Sequence, residues 1–285
     1  WRYQGVVTFD FLRAREESQT RAYTEPDIHC YIGPTFEEAM DWLAYLKSRP
    51  KIAFDIELFR SRHISCMAFS ANGREGFCFP FAHNNRQPYW NEHQEAAIWL
   101  GIAELLLMEK IFYTQNGPFD CWHLWRHGIR TPHMSRGKDS MLMHRLLAPD
   151  LPHDLAFITS IYTKIPYYKD ESGKWDKEIK VPDDQFWAYN CKDAIATYIS
   201  CEALEEDLAE YGQTEYYSTT VQPQWDPYLD MRKRGWKVNI DELGKVKGQL
   251  TREVEELQVS LKEKLGWVPN SRSWKEMGEF FKQIG

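Results

Sequence analysis

The segment K51-I-A-F-D-I-E-L-F59 constrains the fold more than any other stretch of this chain. Ile52, Ala53, Phe54, Ile56, Leu58 and Phe59 predict a strand buried on both faces, yet Asp55 and Glu57 lie inside it. Strand residues two apart point to the same side, so the two carboxylates stand beside each other. Like charges in a partly buried place repel, and burying each is costly unless something offsets it. A sheet that keeps this strand must bring a compensating group to one of its faces.

Two further segments repeat the oddity. Asp120 lies four residues after Asn116, at the start of a helix that follows the short apolar strand I111-F-Y-T114. In Y189-N-C-K-D193, Tyr189 and Asp193 are four apart in a strongly helical segment and share one face. That face continues through the small residues Ala196, Ser200 and Ala203, so Asp193 points towards the core, where an unpaired carboxylate is costly. Taken singly, a D-x-E pair also fits a solvated strand end and a helical Tyr/Asp pair a surface contact. Their order and spacing together single them out.

Around these segments the pattern is that of an α/β protein. Thr35 with Glu38 forms a capping box, followed by the apolar face Phe36, Ala39, Met40, Leu43 and Leu46. Strands are expected at 63–70 and 76–81 with an Asn72-Gly73 turn between them, which with 51–59 suggests an antiparallel run. Helices follow at about 91–108, from Asn116 to a stop at Gly128, and at about 184–210. The polar, Lys-rich stretch 164–182 reads as a long surface loop. Beyond Gly212 the character changes. Asn239 with Glu242 starts a helix whose Leu243, Val246, Leu250, Val254, Leu257, Leu261 and Leu265 form a narrow apolar seam on a charged rod, which needs a partner surface. The expected division is an N-terminal extension (1–33), a sheet domain (34–212) and a helical C-terminal segment (213–285).

Composition excludes several classes. With 285 residues, 43% hydrophobic and 27% charged, the chain is of the soluble globular kind. No apolar run reaches the roughly 20 residues of a bilayer span. The nearest, A96-A-I-W-L-G-I-A-E-L-L-L-M108, is too short and carries Glu104, so no membrane partner is expected. The N-terminus lacks a basic-then-apolar signal pattern. Six cysteines without any C-x-x-C pair fit reduced thiols in a cytoplasmic protein. A net charge of -7 speaks against a general nucleic-acid binder, although a carboxylate-based site would itself lower the total.

In order, F54-D-I-E57, N116-G-P-F-D120 and Y189-N-C-K-D193 resemble the three exonuclease motifs of the DEDD superfamily in its tyrosine-containing subclass. More closely, the chain resembles the 3′–5′ proofreading domain of family A (Pol I-type) DNA polymerases, of a phage kind. P80-F-A-H83, D139-S-M, H153-D-L155 and Tyr162 match between the motifs, and L229–L243 and N270–G285 look like the first helices of the polymerase region. The resemblance implies a ribonuclease H-like mixed sheet flanked by helices. It implies catalytic Asp55, Glu57, Asp120, Tyr189 and Asp193, with the four carboxylates holding two divalent cations, Mg²⁺ or Mn²⁺. By the same resemblance Asp55 bridges both ions, Glu57 and Asp193 complete the first, and Asp120 holds the second through water. Hard oxygen ligands suit those ions. Tyr189, whose kind of phenol ordinarily titrates near 10, would orient the attacking water rather than deprotonate it. The expected substrate is the 3′ end of single-stranded DNA, the product a nucleoside 5′-monophosphate, and the setting a host cytoplasm. Ending at Gly285, the chain lacks the family's palm and fingers motifs, so nucleotide addition is not expected, and a polymerase portion encoded elsewhere or missing here is a possible partner.

Other residues keep two readings. Asn116 either bonds the terminal sugar or a phosphate, or is a turn residue before Asp120. Arg60, Arg62 and His63 fit a solvated surface better than phosphate contacts. Tyr167, Tyr168 and Lys169 either stack on and hold a single strand or belong to a plain mobile loop. His123 and His127 have zinc-like spacing without a third ligand and read as ordinary helix residues. Two alternative functions stand beside the exonuclease: a nucleic-acid-binding or docking module of a split polymerase, and a ribonuclease D-like exoribonuclease.

Overall fold

Alternation along the strands sorts their side chains into two layers of different size. The computed structural model describes residues 4–19, 26–59, 63–171 and 181–284. Its elements are α1 (Gln4–Glu17), β1 (His29–Tyr31), α2 (Phe36–Lys47), β2 (Lys51–Phe59), β3 (His63–Ser70), β4 (Glu75–Pro80), α3 (Glu92–Leu107), β5 (Ile111–Thr114), α4 (Pro118–Arg126), β6 (Lys138–Asp139), α5 (Ser140–Leu147), α6 (Leu155–Tyr162), α7 (Asp183–Glu210), the single turn α8 (Thr214–Tyr216), α9 (Trp225–Arg234), α10 (Ile240–Leu265) and α11 (Trp274–Ile284). The six strands form one mixed sheet in the order β1-β4-β3-β2-β5-β6. The run β2-β3-β4 is antiparallel, as its turn signals predict, while β1, β5 and β6 pair in parallel.

One face of the sheet carries the bulk. Ile52, Phe54 and Ile56 of β2, Met67 and Phe69 of β3, Phe77 and Phe79 of β4 and Phe112 of β5 pack against Ala39, Leu43 and Leu46 of α2 and Ile98, Ile102 and Leu105 of α3. The predicted capping box at Thr35 and Glu38 is present and fixes the start of α2. The opposite face is lined by small side chains. Ala53, Cys66, Ala68 and Cys78 meet Cys191, Ala194 and Cys201 of α7. At Gly76 a Cβ would stand 2.8 Å from Cys191 Cβ, so α7 lies as near the sheet as two backbones with almost no side chain between them allow.

Smaller elements fasten this frame. Residues 29–31, within the expected N-terminal extension, form β1 on the sheet edge, a strand too short to show any periodicity. Arg13 of α1 donates to the carbonyls of Ser160 (2.7 Å) and Thr163 (3.3 Å) at the end of α6, where a cation suits the exposed C-terminal carbonyls. The stretch after α8 packs on the sheet unit through Tyr217, Gln222 and Trp225, all buried. Within the long polar loop expected at 164–182, residues 172–180 lie outside the described residues, as do Arg60 and Arg62. Among the described residues no helix is long and apolar enough to cross a membrane.

The chain divides into two units, 1–233 and 234–285. In the second, Asn239 caps α10 by accepting the Glu242 N–H at 3.1 Å, and Gly266, at φ 81°, ends it. None of the α10 residues is buried, and its apolar seam is open, with Leu250 54% exposed. Trp267 Nε1 donates to Gln283 Oε1 of α11 at 2.8 Å.

Candidate active site

Period-two alternation sends Ala53, Asp55 and Glu57 of β2 to the face that α7 covers. Ala53 packs among Cys201 and Leu204, nearer the C-terminal end of that helix. Asp55 and Glu57 meet its first half, where Tyr189, Asn190 and Asp193 are all buried. One carboxylate oxygen each from Asp55, Glu57 and Asp193 lies within 4.8 Å of the other two. Acidic residues far apart in the sequence thus converge on one point, as expected for this trio.

Asp120 stands outside that group of three but is tied to the same strand. Its Oδ1 accepts the N–H of Ile56, the residue between Asp55 and Glu57, at 3.1 Å. The turn that delivers it is tightly specified. Asn116 adopts φ 55°, a left-handed conformation that asparagine tolerates better than most residues. A Cβ at Gly117 would collide with Trp225 at 2.2 Å and Thr114 at 2.6 Å. Asp139 binds the turn, accepting from Gly117 N–H (2.8 Å) and Thr114 Oγ1 (3.2 Å), and it caps α5 through Leu142 N–H (3.1 Å). Asn116 itself is exposed, which fits both a turn residue and one that meets a ligand.

Three other residues complete the pocket. Asp193 Oδ1 accepts from Tyr168 Oη at 2.6 Å and from Lys169 Nζ at 2.5 Å. The same ammonium donates to Tyr189 Oη at 3.1 Å. Asn190 Nδ2 donates to Asp55 Oδ2 at 2.7 Å. This corrects both readings of the 167–169 stretch: Tyr168 and Lys169 turn inward to the acidic cluster, and only Tyr167, 70% exposed, faces outward. A cation drawn to three neighbouring carboxylates explains the inward turn of Lys169. No sequence pattern marks that contact, since loop residues carry no period. Asn190 had a signal, a polar residue between the buried Tyr189 and Cys191 of one helix.

The remaining expected positions take structural places. His83 Nδ1 meets Asp183 Oδ2 at 2.7 Å, and Asn84 N–H donates to Asp183 Oδ1 at 2.7 Å, joining the segment after β4 to the start of α7. His63 is exposed, His123 packs on Phe119, and His127 stacks on Trp99.

The electrostatics explain what the cluster lacks. Burial first, then the charge of Asp193, pushes Asp55 up to about 8, against the pull of Lys169 and the Asn190 hydrogen bond. Burial, then Asp55 and Asp193, raises Glu57 well above the ordinary carboxylate range. Burial and Asp55 raise Asp120 as well, although the Ile56 N–H opposes this. One lysine does not neutralise so many carboxylates. A set of hard oxygens this close, whose charged forms are disfavoured unless a cation joins them, fits a divalent ion such as Mg²⁺ or Mn²⁺.

Residues 34–209 match the model of the DNA polymerase A exonuclease family, described as 3′–5′ exonuclease. No curated protein matches the chain significantly. Among solved structures, the POL domain of Pol1 from M. smegmatis, in complex with DNA primer-template and dNTP, is similar with a TM-score of 0.55 at 14% identity, over 88% of this chain and 40% of that one. The catalytic core of RRP6 from Trypanosoma brucei gives 0.51 at 17% identity, over 70% of this chain and 55% of that one. Brucella melitensis NrnC gives 0.50 at 14%, over 75% and 96%. The chain thus spans about half or less of the first two structures it matches.

Proposed function

Since the chain belongs to the DNA polymerase A family of 3′–5′ exonucleases and has the ribonuclease H-like mixed sheet, we propose that it removes nucleoside 5′-monophosphates from the 3′ end of single-stranded DNA, as a proofreading module does. The observation that carries this reading is the meeting of Asp55, Glu57 and Asp193. These three would hold one divalent ion, and Asp120 with Asp55 a second. Once bound, the ions supply Lewis acidity towards water and the phosphodiester and offset the charge that builds up there. Tyr189 orients the attacking water through its hydroxyl, which Lys169 steadies at 3.1 Å. Asp120, anchored by the Ile56 N–H, keeps its second oxygen for the leaving-group side. A polymerase portion is the natural partner, because the Pol1 likeness extends over 88% of this chain.

End-labelled single-stranded DNA incubated with Mg²⁺ or Mn²⁺ tests the reading. A ladder of shortened products is expected, lost by more than about 100-fold in Asp55→Ala and Asp193→Ala. Tyr189→Phe keeps the ring and loses only a positioning hydroxyl, so it slows cleavage less than Asp193→Ala does. No ladder, or one equal in wild type and Asp55→Ala, sinks the proposal. Competition between DNA and RNA oligonucleotides of one sequence decides the sugar; preferential loss of RNA would make the chain an exoribonuclease on the same machinery.

A further inference from the structure

A fully buried asparagine on the central helix needs a reason. Burying an amide without partners costs a few kcal/mol, and an apolar residue would fill the same place at no such cost. Asn190 is 0% exposed, and its two ends are both engaged. Its Nδ2 donates to Asp55 Oδ2 at 2.7 Å. Its Oδ1 faces Cys78 Sγ of β4, a weak thiol donor at 3.9 Å. The amide therefore bridges β4 to β2 from within α7, and its orientation is fixed by chemistry, since only the NH₂ end can bond a carboxylate oxygen.

A carboxylate can rotate about its Cβ–Cγ bond and present either oxygen. With Oδ2 tethered, Asp55 keeps one orientation and one free oxygen. Glu57 gains no comparable donor from α7 among the contacts described for the cluster, so Asp55 is the fixed member of the pair. We propose that Asn190 is a positioning residue: by holding Asp55 Oδ2 it sets which oxygen of Asp55 is offered for cation binding. The inference rests on the exonuclease reading above and adds to it a residue outside the acidic set. Partners that orient a ligand in this way typically contribute about 10- to 100-fold in metal affinity or activity.

The test is Mn²⁺ binding to the full chain, followed by titration calorimetry and by the electron paramagnetic resonance of free Mn²⁺, together with kcat and KM on a single-stranded oligonucleotide. Asn190→Leu keeps the branching at Cγ, with somewhat more bulk, and removes the donor. It is expected to weaken Mn²⁺ binding about 10- to 100-fold and to lower kcat at limiting Mn²⁺, with KM for the oligonucleotide unchanged. Asn190→Asp keeps the shape but sets a second carboxylate against Asp55 Oδ2; it is expected to weaken Mn²⁺ binding at least as much. Should the leucine variant not fold, Asn190→Ser, which admits a water in place of the amide, is expected to fold and to lose about fivefold or more. A folded Asn190→Leu or Asn190→Ser chain with wild-type circular dichroism and a Mn²⁺ affinity within twofold of wild type overturns the role of Asn190. A wild-type chain that binds no Mn²⁺ and digests no DNA overturns the exonuclease reading and this inference together. Wild-type activity with unchanged variants overturns this inference alone.

Discussion

Asp193 shares its Oδ1 between the Tyr168 hydroxyl and the Lys169 ammonium, so a side chain expected to need a metal already has two donors. Lys169 is the one cation that bonds the cluster among the described contacts, and three carboxylates repel without it. Lys169→Met should therefore lower the melting temperature in chelator, by the equivalent of about 3 kcal/mol. Added Mn²⁺ should then raise it by more than in wild type, because the ion takes over the missing neutralisation. Melting curves with EDTA and with Mn²⁺ check both; a variant as stable as wild type in chelator would show the ammonium to be a bystander. Asp55, Glu57 and Asp193 were legible because strand and helix periods place them without tertiary knowledge. Lys169 and Tyr168 were not, because nothing in a loop's sequence says which way it folds back. Asp120 lay between these cases: its helix was readable, its separate anchorage on Ile56 N–H was not.

At the level of elements, α7 does the assembling. Its span was readable almost to the residue, 184–210 against Asp183–Glu210, since a long run without Pro or Gly declares itself. How near it lies to the sheet was not readable, for closeness depends on Ala, Cys and Gly facing each other from four separate segments. Gly76→Ala tests that closeness. The new methyl would stand 2.8 Å from Cys191 Cβ and 3.0 Å from its carbonyl, and backbone atoms yield little. Overpacking of this kind costs about 1–3 kcal/mol. Urea denaturation should show that loss. The helix that moves also carries Asp193, so exonuclease activity should fall further than the fraction folded; activity tracking the folded fraction alone would mean that α7 tolerates the shift. β1 is illegible in the sequence for the opposite reason. Three residues on an edge have too little pattern to read, and only their parallel pairing with Glu75, Gly76 and Phe77 reveals them.

For the whole molecule, stability should depend on pH through a buried histidine far from the acidic cluster in the chain. His144 is 1% exposed, faces His153 at 2.8 Å between ring nitrogens, and is walled by Phe157 and Tyr162. Burial, then the charge of His153, lowers it from the usual 6.5 to about 4. The unfolded chain therefore takes up a proton between those values while the folded chain does not. Stability from this group is complete above pH 6.5 and is lost as pH falls towards 4, by about 3 kcal/mol in all. Urea midpoints at pH 7, 5.5 and 4.5 measure it, and His144→Gln should flatten that part of the profile; an equal slope in the variant would assign the loss elsewhere. The two units, 1–233 and 234–285, bear on the choice between readings of the C-terminal segment, since the open seam of α10 lies wholly in the second.

The bond from Asn190 to Asp55 joins positions 135 residues apart. A ribosome making this protein releases β2 well before it has translated α7, so until that helix emerges the growing chain carries Asp55 without the amide that holds it. On the exonuclease reading, a nascent chain that stops short of α7 lacks Tyr189, Asn190 and Asp193 and so has no complete site to cut with.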